Sequence, residues 1–223
     1  MKKKMLFVLS LGLVLVLALT SCSAIKSVLP STGGSNSGKD SNVLFSDDFS
    51  KTSSGWDQTT TDSGSTDYKN GAYEIIVNIT NYDMWANPGL TFTDTRIEVD
   101  ATKVAGSDNN DFGVLCRYVD VDNYYFAIVA SDGFYGMGKM VDGTQTIFGD
   151  AGMPETDKVK PGSIPNHLRF DCVGSKLSFY ANGNLLAEYE DSALTSGDVG
   201  LIAGTFTESG TDVSFDNFIV YKP

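Results

Sequence analysis

The sequence predicts an all-β protein, a two-sheet sandwich of about a dozen antiparallel strands. Three observations lead there. From Val43 onward, short runs rich in Val, Ile, Phe and Tyr alternate with clusters of Gly, Asn, Asp and Ser. No stretch of that region holds a helical period, although DSALTSGD at 191–198 has room for one short turn. The dipeptide Asn182-Gly183, between KLSFYA and NLLAEYE, is the pair that two-residue hairpins favour.

In chain order, strands are expected at GAYEIIVNI (71–79), RIEVDATKV (96–104), DFGVLCRYV (111–119) and NYYFAIVA (123–130). LRFDCV (168–173), KLSFYA (176–181), LLAEYE (185–190), GLIAGTF (200–206) and VSFDNFIVY (213–221) follow. Each is apolar or alternating, β-branched or aromatic, and bounded by turn residues. NYDMWANPG at 81–89 reads instead as a loop. In the last strand an unbroken period of two would put Val213, Phe215, Ile219 and Tyr221 on one face. Asp216 would then lie on the other, with Phe218 and Val220, and a carboxylate among such neighbours needs a partner or a proton. No second composition shift divides residues 43–223, so they form one domain.

The N-terminus has the layout of a secretory signal peptide over residues 1–21: three lysines, an apolar run from Met5 to Leu19, then small residues. Leu19-Thr20-Ser21-Cys22 resembles the bacterial lipobox, in which the cysteine is lipidated and becomes the new N-terminus. A transmembrane anchor is the alternative, although the apolar run is short for a span. Residues 22–42, rich in Ser, Gly and Asn, form a flexible tether. The protein is therefore expected to be exported and lipid-anchored at the bacterial cell envelope, touching the bilayer through that lipid alone.

The formal charge of −12, from 28 acidic and 16 basic residues, excludes a nucleic-acid partner, which needs a basic footprint. Cys116 and Cys172 are each in phase with apolar neighbours in an oxidising compartment, so a buried disulfide and two buried thiols both fit. One histidine, His167, leaves almost no material for a zinc site or a histidine-based triad, and it reads as a surface residue. Phosphate-binding glycine motifs are absent, and Asp120-Val-Asp122-Asn123 departs from a calcium loop at Tyr124 and Tyr125. The Asp108–Asp111 run reads as a solvated turn. Glu98 with Asp100, and Glu188 with Glu190, share strand faces at about the spacing glycoside hydrolysis uses, but solvent-facing rows produce the same pattern.

LFSDDFS, GW at 55–56, YKNGAYEI, RYVDVDNYYFAIV, LRFDCVGSKLSFYANGNLL and FDNFIVY occur in an order that resembles the concanavalin A-like (laminin-G-like) jelly rolls. The chain is similar there to glycoside hydrolase family 16 modules and to the 3-keto-disaccharide hydrolase-like domain. That resemblance implies a structural calcium, bound by a carboxylate of the last strand and by main-chain oxygens of the first strand and a glycine turn. The matching positions are Asp216, Asp48 and Gly71; a backbone bulge at Asp216-Asn217 is the other account of that carboxylate. Family 16 hydrolases carry ExDxxE on one strand, but Lys103 stands where the closing glutamate should be and NYYFAIVAS holds no acid. A non-catalytic carbohydrate-binding module is the leading expectation, with Tyr82, Trp85, Arg117, Tyr125 and Tyr135 as ligand candidates and Trp56 as structural. Such a module would show exposed aromatics and no close pair of buried acids. An enzyme of the keto-disaccharide hydrolase-like type would show a deep cleft with acids of split pKa, and an adhesion scaffold neither. The oligomeric state is left open.

Overall fold

The computed structural model describes residues 42–150 and 152–223. The leader, the lipidated Cys22 and the tether up to residue 41 lie outside the described residues. The strands in chain order are β1 (Val43–Asp47), β2 (Thr59–Thr61), β3 (Gly64–Lys69), β4 (Ala72–Val77), β5 (Tyr82–Ala86), β6 (Thr95–Ala105), β7 (Asn110–Asp120) and β8 (Asn123–Val129). They continue as β9 (Tyr135–Val141), β10 (Thr144–Ile147), β11 (Asn166–Val173), β12 (Lys176–Ala181), β13 (Asn184–Glu190), β14 (Asp198–Thr205) and β15 (Thr211–Tyr221). Among the described residues there is no helix.

Two antiparallel sheets stack face to face. The larger runs β13-β12-β11-β6-β15-β4-β3-β2, with β1 also paired to β15; the six-stranded sheet runs β10-β9-β8-β7-β14-β5. Between them lies the main core, which includes Ile97, Val99, Phe112, Val114, Phe170, Phe179 and Leu201. Cys116 of β7 and Cys172 of β11 form a disulfide through this core, with Cα atoms 6.8 Å apart, and so join the sheets covalently. Trp56 is structural: its Nε1 donates to Asp47 Oδ2 at 3.0 Å and its ring packs on Phe49, Tyr73 and Phe218.

The sheets differ in how they meet water. β6 alternates buried and half-buried residues, as a strand with one wet face should. β14 and most of β7 and β8 are buried on both faces. Leu115, Tyr124, Phe126, Ile128 and Ile202 form a second apolar cluster on the outer face of the six-stranded sheet, with Trp85, Tyr118, Ile147 and Met153 against it.

Two expectations are corrected. NYDMWANPG is not a loop: β5 pairs with β14 at the sheet edge, from Leu201↔Ala86 to Thr205↔Tyr82. In β15, Asn217 adopts a φ of 54° and the register with β6 shifts between Asp216 and Ile219. This bulge inverts the alternation, so Val213 and Phe215 and then Phe218 and Val220 face the core. Asp216 is therefore half-buried on the outer face, not held among Phe218 and Val220.

Candidate functional site

The second apolar cluster floors a pocket of about 330 Å³, within the range of small-ligand sites. Phe126, Ile128 and Ile202 lie beneath it, while Tyr124, Ile147 and Met153 wall it. At one end stand Asp83 and Asp111. Gly204 of β14 pairs with Asp83 of β5 on one side and with Asp111 of β7 on the other, so the three residues form one row across the sheet. Residues in one row share a face, and the strands bearing the acids are two spacings apart, about 9–10 Å at the backbone. The carboxylates close that distance by leaning over the glycine. A Cβ built on Gly204 would overlap Asp83 Oδ1 and stand 2.6 Å from Asp111 Oδ2. Any side chain at 204 would evict them.

Among the described residues neither carboxylate has a hydrogen-bond or ion-pair partner. Asp111 is only 4 % exposed. Burial pushes Asp83 up to about 6; burial, then the neighbouring Asp83 charge, pushes Asp111 well above its ordinary value. Burial, with the two aspartates adding to it, also moves Tyr124 up to about 12. Two depressions continue the pocket: one shares Tyr82 and Asp83 and extends to Thr59 and Trp85, the other shares Met153 and Phe206 and extends to Phe134.

Of the ligand candidates taken from the sequence, Tyr82 and Trp85 belong here. Tyr82 is 43 % exposed at the rim. Trp85 is half-buried, packs on Tyr124, and donates from Nε1 to the Tyr118 hydroxyl at 3.1 Å. The other three do not belong. Strand alternation, which puts Cys116 in the core, would turn Arg117 outward, but it sits on a bulge with a φ of 51° and is buried. Its guanidinium donates to the carbonyls of Thr93, Leu194 and Gly174 at 2.8–3.1 Å and pairs with Asp94 at 3.3 Å. Tyr125 is fully buried between the sheets, where its hydroxyl donates to Asp191 Oδ1 at 2.5 Å and accepts from the Leu194 amide. Tyr135 packs against the main core. The alternation of strand faces explains the last two: in β8 it is Tyr124, not Tyr125, that faces outward.

The other acid pairs are surface rows with cationic partners. Glu98 pairs with Arg96, Asp100 accepts from His167 Nδ1 at 2.8 Å, and Glu188 pairs with Lys176 at 2.9 Å. Sequence reasoning missed Asp83 and Asp111 because one lay in the apparent loop and the other closed the apparent solvated turn. The available signal was an acid at the start of each of two apolar stretches, with a glycine in the facing strand.

The three calcium candidates taken from the sequence, Asp48, Gly71 and Asp216, lie at or beside the ends of strands that pair with β15 or in β15 itself. β4 covers one edge of β15 up to Phe215 and β1 covers it from Phe218, leaving Asp216 and Asn217 at a gap. Asp48 follows β1 and Gly71 precedes β4, so both border that gap. The Asp216 carboxylate accepts from the Asn217 amide at 2.7 Å, and that of Asp48 from Ser50 Oγ at 2.6 Å. Among the described residues no three His, Cys, Asp or Glu side chains are grouped for a metal.

No protein-family model and no curated protein matches the sequence. Solved structures do match in shape. A CBM66 carbohydrate-binding module from Bacillus subtilis superposes with a TM-score of 0.61 at 17% identity, over 75% of this chain and 96% of that one. A B. subtilis protein of unknown function with a galectin-like fold gives 0.59 at 12% identity, over 81% and 96%. A β-1,3-1,4-glucanase (lichenase) from a mouse hindgut metagenome gives 0.59 at 10% identity, over 80% and 98%. The fold is a two-sheet jelly-roll sandwich. Within that jelly roll, the pocket lies on the outer face of the shorter sheet.

Proposed function

We propose that this jelly roll is a carbohydrate-binding module that seats a glycan on the outer face of its six-stranded sheet. The observation that carries the reading is the aromatic and aliphatic pocket ending in two carboxylates without partners. Sugar rings present apolar C–H faces to such floors and hydroxyl donors to such acceptors. The adjoining depressions give room for neighbouring units of a chain. One structural neighbour is a carbohydrate-binding module and another a glucanase, which supports a glycan ligand. Cys22 would tether the module to the envelope by lipid, and a calcium ion beside Asp48, Gly71 and Asp216 would pin β1 to β4 and β15.

A glycan hydrolase is the second reading, favoured by the close acid pair that a pure binding module was expected to lack. Hydrolysis needs one carboxyl protonated and one ionised. Burial raises both aspartates and the Asp83 charge raises Asp111 further, but most of the pocket lining is apolar floor and wall rather than acid. That ranks binding first. The test is a glycan array of the purified protein in calcium and again in EDTA, with reducing-end release measured on every hit. Binding without turnover is expected; turnover lost in Asp111→Asn would establish the hydrolase instead, and no binding by folded protein would refute both.

A further inference from the structure

Among the described residues, the acid pair has no counter-charge in its surroundings. From β5 the titratable groups facing the site are Asp83 and Tyr82, from β7 Asp111, and from β8 Tyr124; the pocket residues of β10 and β14 carry no charge. No lysine or arginine contributes to the electrostatics of either aspartate. Elsewhere the molecule pairs its acids freely, as at Lys69–Glu74, Lys139–Asp191 and Arg169–Asp171. Here it instead places a glycine between two acids, which lets them approach over Gly204 and aims a nearly buried carboxylate into the pocket.

A sugar hydroxyl brings one proton and no charge, so it leaves the repulsion between the aspartates in place. An ammonium group brings three donors and a positive charge, enough to bond both carboxylates at once and cancel that repulsion. The rings of Tyr124 and Phe126 add faces that attract a cation. We propose that Asp83 and Asp111 bind the ammonium group of an amino sugar, so that the pocket selects de-N-acetylated hexosamine units over neutral ones. This rests on the pocket being a glycan site and names the class of glycan. An N-acetyl group removes the charge and two of the donors and adds bulk. An ionised pair binds best, so affinity should fall as the acids take up protons towards pH 5.

The experiment is calorimetric titration of the purified protein at pH 7 and pH 5 in physiological salt. Four probes are used: the β-1,4 trimer of glucosamine, its N-acetylated counterpart, cellotriose and putrescine. The glucosamine trimer should bind at least about 10-fold more tightly than the others at pH 7, and its lead should shrink at pH 5. Binding should release protons, seen as an enthalpy that depends on buffer ionisation, a readout that needs no variant. Asp83→Asn and Asp111→Asn should each abolish the preference, and Glu190→Gln, exposed on β13 at the edge of the other sheet, should not. Cellotriose or the N-acetylated trimer within threefold would overturn the ammonium proposal and leave glycan binding standing. No binding of any sugar would overturn both. Equal binding of putrescine, or equal loss in Glu190→Gln, would reduce the effect to charge attraction and overturn the proposal as well.

Discussion

Asp83 and Asp111 work against the folded state at neutral pH. Their folded pKa values lie above the unfolded ones, Asp83 near 6 against 3.8, so between about pH 4 and 6 the folded chain holds more protons than the unfolded chain. Stability from this source therefore falls as pH rises; the Asp83 part of the deficit is complete above that window. Asp111→Asn should raise stability at pH 7.5 and leave it nearly unchanged at pH 4. Urea melts at the two pH values check this; a variant less stable at pH 7.5 would mean the carboxylate has a partner. Tyr124, whose ring faces the pocket while that of Tyr125 is in the core, gives a second prediction. Tyr124→Ala should weaken glycan binding at least about 10-fold, the loss of one stacked ring. Trp85→Ala should act similarly, because its ring supports Tyr124. Fluorescence titration with the best array hit decides both.

At the scale of elements, two bulges and one disulfide set what the strands can do. The bulge at Arg117 turns that side chain inward at the end of β7, where it gathers the loops at Thr93, Gly174 and Leu194. The bulge at Asn217 keeps Phe218 and Val220 in the core and puts Asp216 at the gap between β1 and β4. The Cys116–Cys172 bond closes a separation of 56 residues and links β7 to β11 across the core. Chain-entropy arguments give such a loop about 4 kcal/mol. The Cys116→Ala/Cys172→Ala double variant should lose roughly that much in urea unfolding, with the pocket unchanged because Cys116 faces the other side of the sheet. Sugar affinity lost along with stability would show that the sheets are not independent.

For the whole molecule, the gap beside Asp216 joins the start of the domain to its end, since β1 and β15 pair there. A cation bound by the folded form alone stabilises it by mass action, about 2.7 kcal/mol at 100 times Kd. Calcium in excess over EDTA should therefore raise Tm by about 5 °C or more, and Asp216→Ala should remove the increase. Scanning calorimetry of both proteins is the check, and an unshifted wild-type transition would dismiss the ion.

The sequence by itself determined the all-β sandwich, most of the strands and the core positions of Cys116, Cys172 and Trp56. Period, turn chemistry and β-branched composition are local properties that the chain carries in its own order. What only the tertiary structure decided was the site. Asp83 and Asp111 meet because β14, far downstream, inserts between β5 and β7 and offers a glycine at the shared row. Arg117 and Asp216 changed face because one-residue bulges reverse the alternation on which strand reading depends. Pairing between distant strands fixes both, and no window of sequence contains it.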